Sequence, residues 1–242
     1  MFNIDRRTLY IIMGILVIWK LISFSVGDVV SLIIMVPAVL IAITFHEYAH
    51  AFVADKLGDD TPRMQGRLSL NPFAHIDPVG CFLLLFAGFG WGKPVEINPR
   101  NFTRKISMEK ADALVSLAGP AMNFILSIIF AIIYCVIIKF VGYIDSTIGI
   151  VIMTLIRATI SINIGLGVFN LLPLPPLDGS KIIMPLLPAK IKNWFITNQN
   201  IFYIIFLVIW ITGIAGYIVS PVINVVYTAI MKITLRIFGL AI

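Results

Sequence analysis

Long apolar segments are the feature that most restricts how this chain can fold. Of its 242 residues, 60% are hydrophobic and only 12% are charged, and the mean hydropathy is +1.01. A soluble domain of this length cannot cover so much apolar surface, so the composition predicts an integral membrane protein. We expect an all-α polytopic fold, with one domain over 1–242 and about six transmembrane helices. The predicted spans are 8–25, 30–54, 111–139, 150–171, 200–219 and 221–240.

The main polar region, about 57–110, separates the second and third predicted spans. Within it, 81–91 is apolar but too short to cross a bilayer, which favours a re-entrant loop or a membrane-edge hairpin. The segments 67–72 and 93–98 predict a small β-hairpin at the membrane edge, because the first alternates apolar and polar residues and the second could pair with it. A tight helical hairpin is predicted at 220–221, between the last two spans.

The distribution of basic residues predicts the orientation in the membrane. The formal net charge is +6, which in a membrane protein indicates topology and anionic lipid headgroups, and we expect no nucleic-acid partner. If both termini are cytoplasmic, 15 of the 18 Lys and Arg residues lie on or near the cytoplasmic side. We therefore expect a multi-pass protein of the cell membrane with both termini in the cytoplasm.

The second predicted span ends in the sequence His46-Glu47-Tyr48-Ala49-His50. Histidines at positions i and i+4 share one face of a helix, and the glutamate lies beside them. Two imidazoles can hold a divalent metal that activates water, and Glu47 can accept the proton of that water. Two histidines are an incomplete catalytic zinc site, so a third protein ligand must come from elsewhere in the chain.

Asp178 is the strongest candidate for that third ligand. Prolines at 173, 175 and 176 cannot continue a helix, so the fourth predicted span must unwind just before this carboxylate. An acidic side chain at membrane depth is costly and is commonly functional. Unwound backbone at that depth is tolerated where it is buried in protein or lines a wet cavity.

Together these motifs resemble the site-2 protease family of intramembrane zinc metalloproteases. The resemblance rests on His46-Glu47-x-x-His50 and on Asn170-x-x-Pro173-x-x-x-x-Asp178-Gly179. Three further segments agree in order with the same family: 66–72, 75–80 and 118–123. No segment of the size of a PDZ domain interrupts the chain and no CBS domain follows the last span, so we expect a minimal form of the family.

The resemblance implies one Zn²⁺ held by His46, His50 and Asp178, with Glu47 as the catalytic base. We add Asn123 and Asn170 as candidate catalytic donors to the oxyanion, because both are amides at apolar depth. The alternative for both amides is that they join neighbouring helices by hydrogen bonds. His75, in a polar loop, is interpreted as a structural residue.

The predicted substrate is the transmembrane segment of another membrane protein, cleaved within or near the bilayer. In this family such cleavage releases a regulator or clears a membrane remnant. A metal-ion transporter and a non-proteolytic binder of membrane clients are the alternatives. Transport would favour more acidic and histidine residues along the spans and would give Glu47 no reason to be present as a base. A non-proteolytic binder would be favoured by the loss of Glu47 or of a ligand, but all four residues are present. The sequence leaves a regulatory membrane partner and the oligomeric state open.

Overall fold

The computed structural model describes residues 26–80, 92–103, 105–142 and 144–240. Over these residues the chain is helical and contains no β-strand. The α-helices are α1 (Val26–Lys56), α2 (Thr61–Met64), α3 (Met108–Phe140), α4 (Thr147–Asn170), α5 (Asp178–Ile183), α6 (Ala189–Thr197), α7 (Gln199–Ile211) and α8 (Ile214–Ile237). Short 3-10 helices lie at Pro72–Ala74, Pro99–Asn101 and Met184–Leu186.

Four of the described helices are long and apolar enough to cross a membrane. They are Ile34–Lys56 within α1, Met108–Phe140, Thr147–Asn170, and Gly216–Ile237 within α8. The second, third and fourth predicted spans therefore match α1, α3 and α4. The first predicted span, 8–25, lies outside the described residues. The chain is thus a membrane protein with four candidate spans in its described part, and a count of six is not confirmed.

The break between the last two helices lies earlier than the sequence predicts. Helix α7 ends at Ile211 and α8 begins at Ile214, with Gly213 in the left-handed region at φ +74°. The prediction of a hairpin at 220–221 is wrong, because Pro221 lies inside α8. Glycine makes the turn since it alone adopts positive φ without a steric penalty, whereas membrane helices tolerate an internal proline. At 13 residues, α7 is only about 20 Å long and too short to span.

The predicted β-hairpin is likewise wrong for the residues that can be compared. Neither 67–72 nor 93–98 forms a strand, and the bridge between Ile76 and Gly92 is isolated. The predicted re-entrant segment, 81–91, lies outside the described residues.

Side chains take the place of a strand ladder around the segment 92–98. The buried Arg67 guanidinium donates to the carbonyl oxygens of Ala74, Lys93 (3.3 Å) and Pro94 (3.1 Å). From within 92–98, the Val95 and Asn98 N–H groups donate to carboxylates instead of to a neighbouring strand. The segment is therefore held in place without sheet pairing.

The core that positions the site is formed by α1, α3, α4 and α8. Its largest apolar cluster contains four buried residues of α4, with one each from α3 and α8: Ile156, Ile160, Ile164, Val168, Ala131 and Val219. Helix α1 contributes fully buried alanines, Ala38 and Ala42, which allow helices in a membrane to approach closely. Exposed isoleucines such as Ile128 and Ile132 on α3 face outward, as expected for a lipid-facing surface.

Candidate metal centre and active site

Three ligand atoms meet where α1, α3 and α5 come together. His46 and His50 are buried on α1, and their Nε2 atoms lie 3.1 Å apart. Asp178, the first residue of α5, places Oδ2 at 3.2 Å from Nε2 of His46 and 3.3 Å from Nε2 of His50. The three residues that the sequence predicts as metal ligands are therefore brought together.

The other ring nitrogens determine what these atoms can bind. Nδ1–H of His46 donates to Oδ1 of Asn123 at 2.6 Å, and Nδ1–H of His50 donates to the carbonyl oxygen of Val115 at 2.7 Å. In these tautomers both Nε2 atoms offer a lone pair. Such hydrogen bonds from the second ring nitrogen are typical of metal-binding histidines.

The group fits a zinc ion on two further observations. Oδ2 of Asp178 is buried and has no hydrogen-bond partner in the described part of the chain, and the Nε2 atoms of both histidines converge on it. Ligands about 2.0–2.1 Å from a tetrahedral zinc lie about 3.3 Å from one another. The observed separations of 3.1–3.3 Å match that arrangement.

The packing of α5 against the end of α4 places Asp178 next to the two histidines. Helix α4 ends at Asn170, and the proline-containing segment that follows includes a cis Pro175–Pro176 bond before α5 begins at Asp178. A Cβ on Gly179 would lie 2.3 Å from the carbonyl oxygens of Leu171 and Leu172. Glycine is therefore required for α5 to pack against the end of α4, and this contact places the carboxylate.

Glu47 lies beside the ligand group but outside it. Its Oε2 accepts a hydrogen bond from the Val95 N–H at 3.2 Å, and a Cβ on Gly92 would lie 3.5 Å from its Oε1. The half-buried carboxylate thus lies under the segment 92–98, next to His46 in sequence. Both carboxylate oxygens of this residue are directed toward a loop rather than into a helix core.

The two predicted oxyanion donors occupy different surroundings. Asn123 is fully buried; its Oδ1 contacts His46, and its Nδ2 donates to the Ala42 carbonyl oxygen at 3.1 Å and to Oδ1 of Asn163 at 2.9 Å. Both hydrogens of the Asn123 amide are therefore used. Asn170 is half-buried, and its Nδ2 donates to the Leu166 carbonyl oxygen at 3.0 Å within α4.

Three residues of the site were given no role at the metal centre from sequence, although Arg67 and Gly119 lie in the motif segments 66–72 and 118–123. A Cβ on Gly119 would lie 2.5 Å from Nε2 of His50 and 2.6 Å from Cε1 of His46, so this glycine makes room for the ligands. Asn163 accepts a hydrogen bond from Asn123, which in turn contacts His46. Arg67 donates to carbonyl oxygens of the segment 92–98, which contacts Glu47. A buried amide in an apolar span was the available signal for Asn163; the other two depend on contacts between distant parts of the chain.

His75 is the remaining histidine, and it lies outside the metal group. It is fully buried, and its Nε2–H donates to the Ser69 carbonyl oxygen at 2.6 Å. This contact ties the loop 69–75 together, in agreement with the structural interpretation.

A buried group of two histidines and an aspartate, with a glutamate beside it on membrane-spanning helices, defines a membrane metalloprotease. Comparison with known families agrees: the model of peptidase family M50 matches residues 34–213, so the chain belongs to that family of site-2 proteases. The protein is accordingly a zinc metalloprotease.

Curated relatives carry corresponding names. YwhC of Bacillus subtilis, provisionally named a zinc metalloprotease, is 38% identical over 204 residues, covering 84% of this chain and 92% of the relative. Rip2 of Mycolicibacterium smegmatis, with a name of the same form, is 26% identical over 223 residues, covering 78% and 77% of the two chains. No solved structure matches this chain.

Proposed function

We propose that this protein hydrolyses a peptide bond within or near the transmembrane segment of a membrane-protein substrate. One observation carries the proposal: the ligand atoms of His46, His50 and Asp178 converge at a buried point among helices apolar enough to span a bilayer. A metalloprotease centre on such helices meets its substrate in or beside the lipid.

The ligand set would hold the metal, and Glu47 would accept and donate the proton. When bound by these residues, zinc lowers the pKa of water towards about 7 and polarises a carbonyl group. Glu47 accepts the proton of the attacking water and returns it to the leaving amine. The Val95 N–H uses one acceptor site of Oε2, and the remaining lone pairs of the Glu47 carboxylate are available for this proton transfer.

The substrate helix must unwind locally before it is cut, because its peptide groups are shielded by their own hydrogen bonds. The segment 92–98 lies against Glu47. Its backbone pairing within the described part of the chain is limited to the Gly92–Ile76 bridge and the Lys93 N–H bond to the His75 carbonyl oxygen. We propose that an unwound substrate pairs with this segment and is thereby held beside the catalytic base.

The two asparagines differ in proposed role. Both hydrogens of the Asn123 amide are engaged, so Asn123 supports the reaction by orienting His46. The single hydrogen bond from Asn170 to Leu166 uses one of its two amide hydrogens. We therefore retain Asn170 as the candidate oxyanion donor, and expect Asn170→Ala to slow cleavage while zinc content is unchanged.

The experiment compares wild type, Glu47→Gln and Asp178→Ala in detergent, with bound zinc and cleavage of a panel of single-span substrates measured in parallel. Wild type should bind one zinc per chain and cut. Glu47→Gln should retain zinc and lose cleavage, and Asp178→Ala should lose both. Glu109→Gln, which removes an exposed carboxylate at the start of α3, is the control and should behave as wild type. Cleavage by Glu47→Gln at the wild-type rate would reject the mechanism.

We further propose that the protein resides in the cell membrane with both termini in the cytoplasm. The support is the charge distribution, since most Lys and Arg residues fall in segments that this orientation places on the cytoplasmic side. Tags at the two ends should be digested by protease in inverted vesicles and protected in intact cells. Digestion of either tag in intact cells would contradict this orientation.

A further inference from the structure

Asn163 is a fully buried amide on α4 that is neither a metal ligand nor a lipid-facing residue. Its Nδ2 donates to the Thr159 carbonyl oxygen, one turn earlier on the same helix, at 2.8 Å. Its Oδ1 accepts a hydrogen bond from Nδ2 of Asn123 on α3 at 2.9 Å. A buried amide of this kind is retained only when its polar atoms are satisfied, and here both ends have partners.

The contacts continue from Asn163 to the metal ligands. Asn123 accepts from Nδ1–H of His46 at 2.6 Å through Oδ1, which is possible only if its NH₂ group faces the other way. Two acceptors lie on that other side, the Ala42 carbonyl oxygen and Oδ1 of Asn163. Rotating the Asn123 amide by half a turn would place NH₂ against the His46 N–H and Oδ1 against these two acceptors.

The orientation of the Asn163 amide is fixed by its hydrogen bond to the Thr159 carbonyl oxygen. Because the Thr159 carbonyl oxygen can only accept, the NH₂ group of Asn163 must face it, and Oδ1 must face Asn123. Hydrogen-bond donation therefore runs in one direction, from the imidazole of His46 through two amides to the backbone of α4. At the imidazole end, Nε2 of His46 faces Oδ2 of Asp178.

We propose that Asn163 is a positioning residue of the zinc centre, which fixes the Asn123 amide and thereby holds His46 with Nε2 directed at the metal. This inference rests on the zinc site of the proposed function and adds a residue that acts through another. Residues that orient metal ligands typically contribute 10–100-fold to metal affinity. Since Asn123 keeps its contact with Ala42 when Asn163 is removed, we expect an effect near the lower end of that range.

The test is a double-mutant cycle on zinc affinity, measured by competition with a chelator on the full-length protein in detergent. Asn163→Leu, similar in shape but unable to accept, should weaken zinc binding about tenfold. Asn123→Leu should weaken it by about 10–100-fold. If Asn163 acts through Asn123, the double variant should bind zinc no more weakly than Asn123→Leu alone.

Thr159→Val is the matched control, because it changes a buried polar side chain on the same helix and keeps the carbonyl oxygen that Asn163 contacts. Its hydroxyl donates to the Leu155 carbonyl oxygen within α4, so zinc affinity should be unchanged. Asn163→Ala is prepared beside Asn163→Leu in case the larger side chain prevents folding.

Wild-type zinc affinity in folded Asn163→Leu or Asn163→Ala would overturn the proposal, and so would effects that multiply in the double variant. Failure of both variants to fold, with Thr159→Val folded, would assign Asn163 to helix packing and overturn it as well. The readout requires no cleavage. A protein that binds zinc as predicted but cuts no substrate would therefore contradict the proposed function and leave this inference standing.

Discussion

Gly119 of α3 lies directly against His50 of α1, at the point where the metal ligands meet. A Cβ at this position would be 2.5 Å from Nε2 of His50, closer than non-bonded atoms approach. Gly119 lies in the segment 118–123, which the sequence indicates only as part of a family motif. In the structure, the absence of a side chain at 119 is what leaves room for the two imidazoles.

Gly119→Ala should therefore displace the ligands rather than merely tighten the packing. We expect zinc affinity to fall by at least tenfold and cleavage to fall with it, because supporting contacts of metal ligands contribute on the order of 10–100-fold. Zinc titration of the purified variant gives the measurement. Gly165→Ala on α4 is the control, since its Cβ would meet only Cδ1 of Ile223 at an ordinary 3.6 Å. Wild-type zinc affinity in Gly119→Ala would contradict the close approach of α3 to the ligands on α1.

Zinc removal should destabilise the protein, because the ion joins α1 to α5. At a free zinc concentration about 100 times the dissociation constant, binding contributes about 2.7 kcal/mol, equivalent to roughly 5–10 °C in melting temperature. Chelation should abolish this increment and added zinc should restore it, as measured by thermal unfolding in detergent. Asp178→Ala should show little response to zinc.

Asp112→Ala provides the comparison for the zinc response. Asp112 carries a partly exposed carboxylate on α3, which lies 3.7 Å from Nζ of Lys181 on α5. It contacts the same helix as the proposed ligand Asp178 but belongs to no candidate metal group among the described residues. If the melting temperature of Asp178→Ala responded to zinc as that of wild type does, Asp178 would not belong to the ligand set.

Arg67→Lys should loosen the segment above Glu47 without removing a charge. Lysine cannot reproduce the fork through which the buried guanidinium contacts three carbonyl oxygens on two loops. Leaving buried carbonyl groups unpaired costs about 1–3 kcal/mol, so the melting temperature should fall by several degrees. Cleavage should fall while zinc content stays at one per chain. Arg100→Lys, at an exposed position, should leave the melting temperature, the cleavage rate and the zinc content at their wild-type values.

Asp59 should make the stability of the loop region depend on pH. Burial alone would raise its pKa, but hydrogen bonds from Thr61, Asn98 and Asn101 outweigh burial and lower the pKa below its usual range. A carboxylate with a lowered folded-state pKa stabilises the fold above the pKa of the unfolded chain, about 3.9. That stabilisation is lost as pH falls through the folded-state value.

Asp59→Asn should thus melt at a lower temperature than wild type at pH 7, and the difference should shrink on acidification below about pH 4. The amide also presents a donor to groups that are themselves donors. Melting curves between pH 3 and 7 provide the measurement. Asp60→Asn, at the exposed neighbouring position, should leave the wild-type pH dependence in place. A pH-independent difference between Asp59→Asn and wild type would contradict this account.

The sequence predicts the metal group because each ligand lies in a recognisable local sequence pattern. Helical spacing places His46 and His50 on one face, and the prolines before Asp178 end a helix at the depth where that carboxylate is needed. The structure brings the three together as those patterns indicate. Helices α1, α3 and α4 are also close to their predicted bounds, since continuous apolar runs define them.

Features that depend on contacts between distant residues could not be found in this way. Alternation over 67–72 resembles a strand, but the nearby carbonyl groups are held by the Arg67 side chain rather than by a ladder. Pro221 resembles a turn, but the helix continues through it and breaks at Gly213. The roles of Gly119 and Asn163 exist only because α3 and α4 pack against α1.

The separation of the ligands along the chain has a consequence for biosynthesis. Glu47 and both histidines emerge from the ribosome long before Asp178, so the nascent protein carries its base and part of its metal site without the residue that completes them. Gly179 allows α5 to pack closely against the end of α4, next to the aspartate. A nascent chain that has not reached Asp178 therefore lacks a complete ligand set, and proteolytic competence requires synthesis beyond α4.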